Sequence, residues 1–344
     1  MNKDILKNTA KRLTIFPKGI LAIDESTNTC NKRFEKLGIP TTEEKRREYR
    51  ELLVTAKGIE KYISGYICFD ETIKQSTKDG KKFTEILKSK KIDVGIKVDT
   101  GTKDFGTVVG DKITEGLDNL SARLDEYKKM GATFAKWRAI YNISETTPSE
   151  ENMKANAESF AKYALLCQEH DIVPIVEPEV LIDGGHTIEE CYEITAKNLD
   201  IVFSTLKSAG VFFPGIILKT SMVIAGKSSQ KQSTLEEVAE MTLKCLKEHV
   251  PTDIGGIVFL SGGQEDEQAT LNLNAMHIKG KLPWPLTFSY GRAIQNPALK
   301  SWAKNPTDVA LAQKLLVEAA KRNSLASVGK YNKSIWYTIS QFFK

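Results

Sequence analysis

Eight short apolar segments recur along the chain, and each ends in polar or charged residues. They are Gly19–Ser26, Ile63–Asp70, Val94–Thr100, Ala132–Tyr141, Ile172–Val180, Gly215–Met222, Gly255–Gly262 and Leu286–Gly291. Neighbouring segments start between 31 residues (63 to 94) and 44 residues (19 to 63) apart, so each interval has room for a strand and a crossover helix. The near-continuous apolar runs are typical of parallel strands buried on both faces.

Helical patterns fill the intervals between these segments. Apolar residues spaced three or four apart predict one helix over Ile113–Met130. Thr187 and Thr234 are each followed three residues later by a glutamate, which predicts a capping box at each helix start. Asn305 is the predicted N-cap of a helix over Val309–Arg322.

Eight strands that alternate with helices, without a break in composition, predict one (β/α)8 TIM barrel over residues 1–344. An N-terminal extension precedes this barrel, and a C-terminal helix and a tail (331–344) follow it. A doubly wound open sheet is the alternative. Against that alternative, no G-x-G-x-x-G motif follows the first strand.

The composition is that of an ordinary globular protein, with 41% hydrophobic and 27% charged residues. The net charge of +5 is mild and dispersed, so we expect no nucleic-acid binding. No apolar run approaches the roughly 18 residues of a membrane span. Residues 1–17 lack the apolar core of a signal peptide. We therefore expect a cytoplasmic protein that does not bind membranes.

Neither cysteine nor histidine spacing predicts a metal site. The cysteines are Cys30, Cys68, Cys167, Cys191 and Cys245. They lack C-x-x-C spacing, which is typical of reduced thiols in a cytosolic protein. The four histidines are scattered, with no HExxH motif. We expect no metal and no other cofactor.

Lys219 is placed unusually, because it follows the apolar run Ile216–Leu218 where a buried strand should end. A lysine there could form an ion pair or extend its amine to water. It could instead be a nucleophilic amine that forms a Schiff base with a carbonyl. The residue alone does not decide between these hypotheses.

Charged residues gather at the other strand ends, where barrels of this kind place their catalytic groups. These residues are Asp24, Lys97, Lys136, Arg138, Glu177, Glu179 and Lys219. Burying so many charges costs several kcal/mol per ion before pairing, which favours a functional site over a purely structural one. Glu177 and Glu179 fit either a general acid–base pair or salt bridges to the lysines. Asp24 is a candidate general base.

Two groups of residues at these ends are suited to phosphate. The first group comprises Ser261, Gly262, Gly263, Ser289, Gly291 and Arg292. It offers backbone N–H groups at helix entries and one guanidinium, although Ser-Gly-Gly also fits an ordinary tight turn. The second group, across the mouth, comprises Lys97, Lys136, Arg138 and Arg33.

Six ordered motifs resemble those of class I fructose-1,6-bisphosphate aldolases. They lie at residues 19–27, 95–99, 134–138, 172–179, 259–264 and 286–292. The resemblance extends from about Gly19 to Tyr331, nearly the whole chain. It implies a metal-independent lyase of glycolysis and gluconeogenesis, which cleaves fructose 1,6-bisphosphate reversibly to dihydroxyacetone phosphate and glyceraldehyde 3-phosphate.

The resemblance also implies a role for each site residue. Lys219 would form the Schiff base, and Glu177 would transfer protons during its formation. Asp24 would be the base at the C4 hydroxyl, Lys136 would stabilise developing charge, and Glu179 would hold the lysine network. The implied C1-phosphate contacts are Ser261, Gly262, Gly291 and Arg292, and those at the other end are Lys97, Arg138 and Arg33. A homotetramer is also implied.

The chain departs from the family pattern in three places. Asn28-Thr29 stands where Gly-Ser is common, and Thr220-Ser221 stands where Pro-Asn is common. The family's terminal tyrosine is missing, because the chain ends in Phe343-Lys344. Tyr337 is the nearest substitute for that tyrosine.

Two other functions compete with this prediction. One is a Schiff-base aldolase of another substrate, transaldolase-like or specific for a monophosphate, and the two basic groups argue against it. The other is a barrel kept as a binding or scaffolding protein, which leaves Lys219, Glu177 and Asp24 unexplained.

Overall fold

A computed structural model describes residues 1–332, and eight of its strands form a closed parallel barrel. The strands in chain order are β1 (Gly19–Ile23), β2 (Ile63–Cys68), β3 (Asp93–Lys97), β4 (Gly101–Asp104), β5 (Lys112–Glu115), β6 (Ala132–Tyr141), β7 (Val173–Val180), β8 (Ile217–Thr220), β9 (Ile257–Phe259) and β10 (Leu286–Tyr290). Around the barrel the order is β1-β10-β9-β8-β7-β6-β3-β2. The predicted (β/α)8 barrel is confirmed.

Helices cover the outside of the barrel. They are α1 (Lys3–Leu13), α2 (Thr27–Glu35), α3 (Glu43–Thr55), α4 (Asp70–Lys74), α5 (Phe83–Ser89), α6 (Leu120–Lys129), α7 (Glu150–Glu169), α8 (Ile188–Ser208), α9 (Leu235–His249), α10 (Asp266–Ile278), α11 (Arg292–Lys304) and α12 (Val309–Ala326). Short 3-10 helices lie at Ile59–Lys61 and Phe213–Gly215. The capping boxes predicted at Thr187 and Thr234 are both present.

The N-terminal extension closes one end of the barrel. Leu6 and Leu13 of α1 belong to one buried cluster with Ile20, Phe134 and Ile175 from the barrel strands. These strand residues lie near the N-terminal ends of their strands, so α1 covers the end opposite to the predicted site. The interior at this end is therefore dry and apolar, as in other packed barrels.

The packing inside this end is tight enough to require glycine. A Cβ atom built on Gly95 of β3 would lie 2.2 Å from the ring of Phe134 on the neighbouring β6. Real Cβ atoms do not approach other atoms so closely, and protein cores tolerate little added volume. The ring of Phe134 therefore takes the space that a side chain at position 95 would need.

The prediction of one helix over Ile113–Met130 is wrong in its first half. Ile113 lies on β5, which pairs antiparallel with β4, and α6 begins only at Leu120. Gly116 separates the two elements with a φ of +126°, which a helix cannot accommodate. The apolar spacing is thus shared by a short strand and a helix.

The predicted cap at Asn305 is also wrong. The N-cap of α12 is Asp308, whose side chain accepts the backbone N–H of Leu311 at 3.0 Å. Asn305 is the C-cap of α11 instead, and its side chain accepts the N–H of Thr307 at 3.3 Å. The cap is therefore the residue directly before Val309 rather than the one four residues before it.

All five cysteines are buried and unpaired, in agreement with the reduced thiols expected. None of the helices in residues 1–332 is long and apolar enough to cross a bilayer. The assignment of residues 1–344 to a single domain stays a prediction. Most of the predicted tail, including Tyr337, lies outside the described residues.

Candidate active site

The barrel interior changes from apolar to charged along each strand. Successive side chains of a strand alternate between its two faces, so residues two apart share a face. Phe134 and Lys136 share a face of β6, as do Ile175 and Glu177 of β7. On β8, the inward Ile217 is followed by Lys219. The charges therefore collect at the C-terminal end of the barrel, where the sequence predicted them.

Glu177 lies between two buried lysines. Its Oε1 is 3.0 Å from the Nζ of Lys219, and its Oε2 is 3.4 Å from the Nζ of Lys136. Both lysines are almost fully enclosed, with 4% and 3% of their surface exposed. Burial opposes ionisation of Glu177, but the attraction of Lys219 and Lys136 outweighs it and lowers the pKa of the carboxyl group. Glu177 is therefore ionised and able to accept a proton.

Lys136 is surrounded by carboxylates. Besides Glu177, its Nζ contacts Asp24 at 2.8 Å and Asp99 at 3.8 Å. Burial opposes its charge, but these three acids raise the pKa of Lys136 well above its ordinary value. In return, Lys136 and then Lys219 hold the pKa of Asp24 far below its usual range, against the opposing effect of burial. Lys136 is therefore a permanent cation beside an ionised Asp24.

Eight charged side chains lie at the mouth, and we call them the central cluster. Ion pairs connect six of them, and the Arg138–Glu179 pair is joined to these through the backbone N–H of Arg138, which donates to Asp99 at 3.3 Å. The acids are Asp24, Asp99, Glu177 and Glu179, and the bases are Lys97, Lys136, Arg138 and Lys219. Arg138 is paired with Glu179, and the Nζ of Lys97 is 2.5 Å from an oxygen of Asp99. Four acids and four bases give the cluster a formal charge of zero.

The first predicted phosphate group lies at the ends of β9 and β10. Gly262 and Gly263 have φ values of +54° and +84°, in the left-handed region that favours glycine. Gly291 is the N-cap of α11 and offers no capping side chain, so no N-cap side chain occupies the N–H groups of Arg292 and Ala293 at the start of that helix. Arg292 at this helix start is exposed.

Two serines complete this first group. Ser261 and Ser289 are both buried. Within residues 1–332, the hydroxyl of Ser289 has no hydrogen-bond partner. A buried hydroxyl without a partner is costly, which is consistent with a polar group that is satisfied only when a ligand is bound.

The second predicted phosphate group is divided in the structure. Lys97, Lys136 and Arg138 belong to the central cluster, whereas Arg33 lies against the first turn of α11. There Arg33 is paired with Glu25 and donates to Gln295 at 3.0 Å. Arg33 therefore makes its ion pair outside the central cluster, and the joint phosphate-binding role of Arg33, Lys97 and Arg138 stays a prediction.

Three polar residues of the site were missing from the predicted set. Asp99 binds both Lys97 and Lys136, and its position two residues after Lys97 was a usable signal. Glu25 and Gln295 surround Arg33. No sequence signal pointed to Gln295, because it follows Gly291 within an ordinary helix.

Comparison with known proteins decides the family. The family model described as fructose-bisphosphate aldolase class-I matches residues 5–341. A protein of Xanthomonas axonopodis pv. citri named probable fructose-bisphosphate aldolase class 1 is 54% identical, with 96% of this chain and 99% of that protein covered. The chain belongs to the class I fructose-bisphosphate aldolase family.

More distant relatives and a solved structure agree with this family. A cytosolic fructose-bisphosphate aldolase of Arabidopsis thaliana is 48% identical over 95% of this chain and 92% of that protein. A Plasmodium falciparum fructose-bisphosphate aldolase, crystallised with TRAP and an inhibitor, superposes with a TM-score of 0.95. It is 43% identical, with 96% of this chain and 97% of that chain covered. The predicted enzyme class, a lyase acting on sugar phosphates, is confirmed at the level of the family.

Among residues 1–332, no group of three His, Cys, Asp or Glu side chains is arranged to hold a metal ion. The polar groups that converge in the aldolase barrel are instead amines, guanidinium groups and carboxylates. Such groups can bind anionic substrates, exchange protons and attack carbonyl carbons.

Proposed function

We propose that this barrel cleaves fructose 1,6-bisphosphate through a Schiff base on Lys219, without a metal. The observation that carries the proposal is the difference between the two buried lysines beside Glu177. Lys136 contacts three carboxylates, which stabilise its charged form and so remove its nucleophilic lone pair. Within residues 1–332, the one carboxylate in ion-pair contact with Lys219 is Glu177, at 3.0 Å. These contacts support Lys219 as the nucleophile and Lys136 as a fixed cation.

Schiff-base formation needs one proton acceptor and one proton donor, and Glu177 serves as both. Glu177 first accepts a proton from the ammonium of Lys219, and the neutral amine then attacks the C2 ketone. The resulting carbinolamine loses its C2 hydroxyl as water, after Glu177 returns the proton to that oxygen. The product is an iminium, which is the electron sink for the next step.

Carbon–carbon cleavage needs a base at the C4 hydroxyl, and Asp24 serves as this base. As the proton of the C4 hydroxyl moves to Asp24, the C4 oxygen forms the aldehyde C=O bond, the C3–C4 bond breaks and its electron pair enters the iminium. Glyceraldehyde 3-phosphate leaves, and an enamine remains on Lys219. Lys136, 2.8 Å from Asp24, stabilises the negative charge that develops on the C4 oxygen. Protonation at C3 and hydrolysis then release dihydroxyacetone phosphate.

Two separate basic regions support a bisphosphate rather than a monophosphate substrate. Ser261, Gly262, Gly291 and Arg292 surround the proposed C1-phosphate site at the ends of β9 and β10. Arg33, Lys97 and Arg138 supply cations for the phosphate on C6, with Arg33 on the β1 side of the mouth. Glu179 holds Arg138 in this arrangement through their ion pair.

We also propose that the enzyme is a cytoplasmic homotetramer. The support is the family resemblance and the cytosolic relative in Arabidopsis, although a chloroplastic relative at 46% identity matches as well. Light scattering tests the assembly, because one chain has a mass of 38.3 kDa. A mass about four times larger supports the tetramer, and a mass of one or two chains refutes it.

Borohydride trapping tests the mechanism. The protein is incubated with dihydroxyacetone phosphate, with and without EDTA, then reduced and mapped by peptide mass spectrometry. We expect one adduct, on Lys219, that persists in EDTA and is absent from a Lys219→Met variant. Lys136 is the internal control, because it is equally buried and only a few ångströms from the same carboxylate.

The outcomes separate the parts of the proposal. An adduct on Lys136 would keep Schiff-base chemistry but refute the choice of lysine. An adduct lost in EDTA would refute metal independence. A folded protein that binds the ligand and forms no adduct would refute catalysis by this barrel.

A further inference from the structure

Gln295 forms several hydrogen bonds at the mouth, although the proposed mechanism gives it no role. It lies in the first turn of α11 and is fully buried. Its amide forms four hydrogen bonds, to groups on α2, α3, β1 and the loop between β1 and α2. A buried amide satisfied in this way holds its neighbours in one arrangement.

The chemistry of its neighbours determines the orientation of this amide. The Nε2 of Gln295 is 2.6 Å from the carbonyl oxygen of Ala22, which can only accept, so the atom facing Ala22 must be the donor. The Oε1 then faces the hydroxyl of Tyr49 at 2.8 Å and the guanidinium of Arg33 at 3.0 Å. Arg33 can only donate, which requires the same orientation independently.

The fourth contact connects Gln295 to the charges around Arg33. Its Nε2 also donates to Oε1 of Glu25 at 2.9 Å, and the same oxygen is paired with Arg33. The other oxygen of Glu25 is 2.9 Å from Arg50. One carboxylate thus faces two guanidinium groups, and this corner of the mouth carries one formal positive charge in excess. An excess of positive charge suits a phosphate.

The backbone of Gln295 reaches the other phosphate region. Its N–H donates to the carbonyl oxygen of Gly291 at 3.0 Å, and Gly291 is the N-cap of α11. A single residue therefore touches the glycine of the proposed C1-phosphate site and the arginine of the proposed C6-phosphate site. It also touches β1 two residues before Asp24.

We infer that Gln295 is a positioning residue that fixes Arg33 relative to the start of α11 and so sets the preference for a bisphosphate substrate. This inference rests on the proposed function, because it takes Arg33 as a contact of the phosphate on C6. Fructose 1-phosphate lacks that phosphate. A change in Arg33 position therefore acts on fructose 1,6-bisphosphate selectively, whereas general loosening of the barrel acts on both substrates.

The test compares kcat/KM for fructose 1,6-bisphosphate with kcat/KM for fructose 1-phosphate. Gln295→Met keeps the volume and removes the amide, and we expect the ratio of the two values to fall about tenfold, the effect of losing one hydrogen bond to a charged group. Gln313→Met is the matched control, because Gln313, like Gln295, donates to a backbone carbonyl but lies on α12, where its amide also donates to the hydroxyl of Thr55. We expect this control to leave the ratio unchanged.

Two further variants keep the test decisive. Arg33→Ala should lower the ratio, and adding Gln295→Met to it should lower the ratio no further, because both changes remove the same contact. If Gln295→Met does not fold, Tyr49→Phe removes only one donor to the amide and should lower the ratio about threefold. The inference is overturned if Arg33→Ala lowers the ratio but neither Gln295→Met nor Tyr49→Phe does. A ratio unchanged in Arg33→Ala refutes the assignment of Arg33 in the proposed function itself.

Discussion

Replacing Lys136 by methionine is the most informative perturbation of the central cluster. Lys136 is the shared partner of Asp24, Asp99 and Glu177, at 2.8, 3.8 and 3.4 Å. Methionine keeps most of the length of the side chain and removes the charged ammonium together with its N–H donors. Asp24 and Glu177 would then lose one of the main attractions that lower their pKa.

The size of the effect follows from the burial of the cluster. Removing one partner of a buried ion pair costs about 3–5 kcal/mol, and one pKa unit corresponds to about 1.36 kcal/mol. The loss falls mainly on Asp24 and Glu177, and Lys219 still interacts with both. Half of the loss corresponds to about 1–2 pKa units, so we expect the pKa that governs cleavage to rise by about 1–2 units. The sign is upward, because both the loss of the cation and the burial of Asp24 favour its protonated form.

The measurement is the pH dependence of single-turnover cleavage of fructose 1,6-bisphosphate. In Lys136→Met the acidic limb of the profile should move to higher pH, while borohydride trapping of dihydroxyacetone phosphate on Lys219 persists. Lys90→Met is the control, since Lys90 is half-buried but donates only to the backbone carbonyls of Val54 and Ala56. A lower rate with an unmoved acidic limb would refute the electrostatic reasoning.

Three further outcomes are expected. Gly95→Ala should reduce the free energy of unfolding by at least about 1–3 kcal/mol in denaturant titrations, because the Cβ of the alanine would overlap the ring of Phe134. A variant as stable as the parent protein would refute this packing argument. The lowered pKa of Asp24 means that its contribution to stability is present above about pH 4, the usual value of an unfolded aspartate, and is lost as pH falls further. Asp24→Asn should therefore show a smaller loss of stability between about pH 5 and 3 than the parent protein does. Gly263→Ala should raise KM about tenfold with kcat little changed, because the φ of residue 263 is +84° and the added Cβ would lie 3.0 Å from the Nζ of Lys227. An unchanged KM would show that this loop does not bind the substrate.

The barrel was predictable because its strands are local features. Each is a continuous apolar run that ends in charged residues, and a strand buried on both faces needs no long-range information to be recognised. The β4–β5 hairpin was missed for the opposite reason. Its strands have four residues each and are largely polar, and Ile113 fits the spacing of the following helix as well as its own strand.

The residues of the site were likewise predictable where local sequence positions them and unpredictable where distant elements do. Glu177 and Lys219 were predictable because each follows an apolar run on its own strand, and the ends of parallel strands meet at one edge. The position of Arg33 was not predictable, because it depends on a helix more than 250 residues away in the chain. Its partner Gln295 has no unusual neighbours in sequence, and only the closure of the barrel between β1 and β10 brings the two together.

The distribution of charge at the mouth distinguishes the groups proposed to exchange protons from the groups proposed to bind phosphate. The central cluster is neutral, so a proton can move between Lys219 and Glu177 without creating a net buried charge. A dianionic phosphate bound beside Lys219 and Glu177 would disturb this balance and shift the pKa values on which proton transfer depends. Positive charge in excess lies at the Glu25–Arg33–Arg50 corner and at Arg292. In the proposed function the phosphates contact these groups together with Lys97 and Arg138, whereas Lys219, Glu177 and Asp24 exchange protons with the substrate, which allows tight binding with little effect on the acid–base chemistry of the centre.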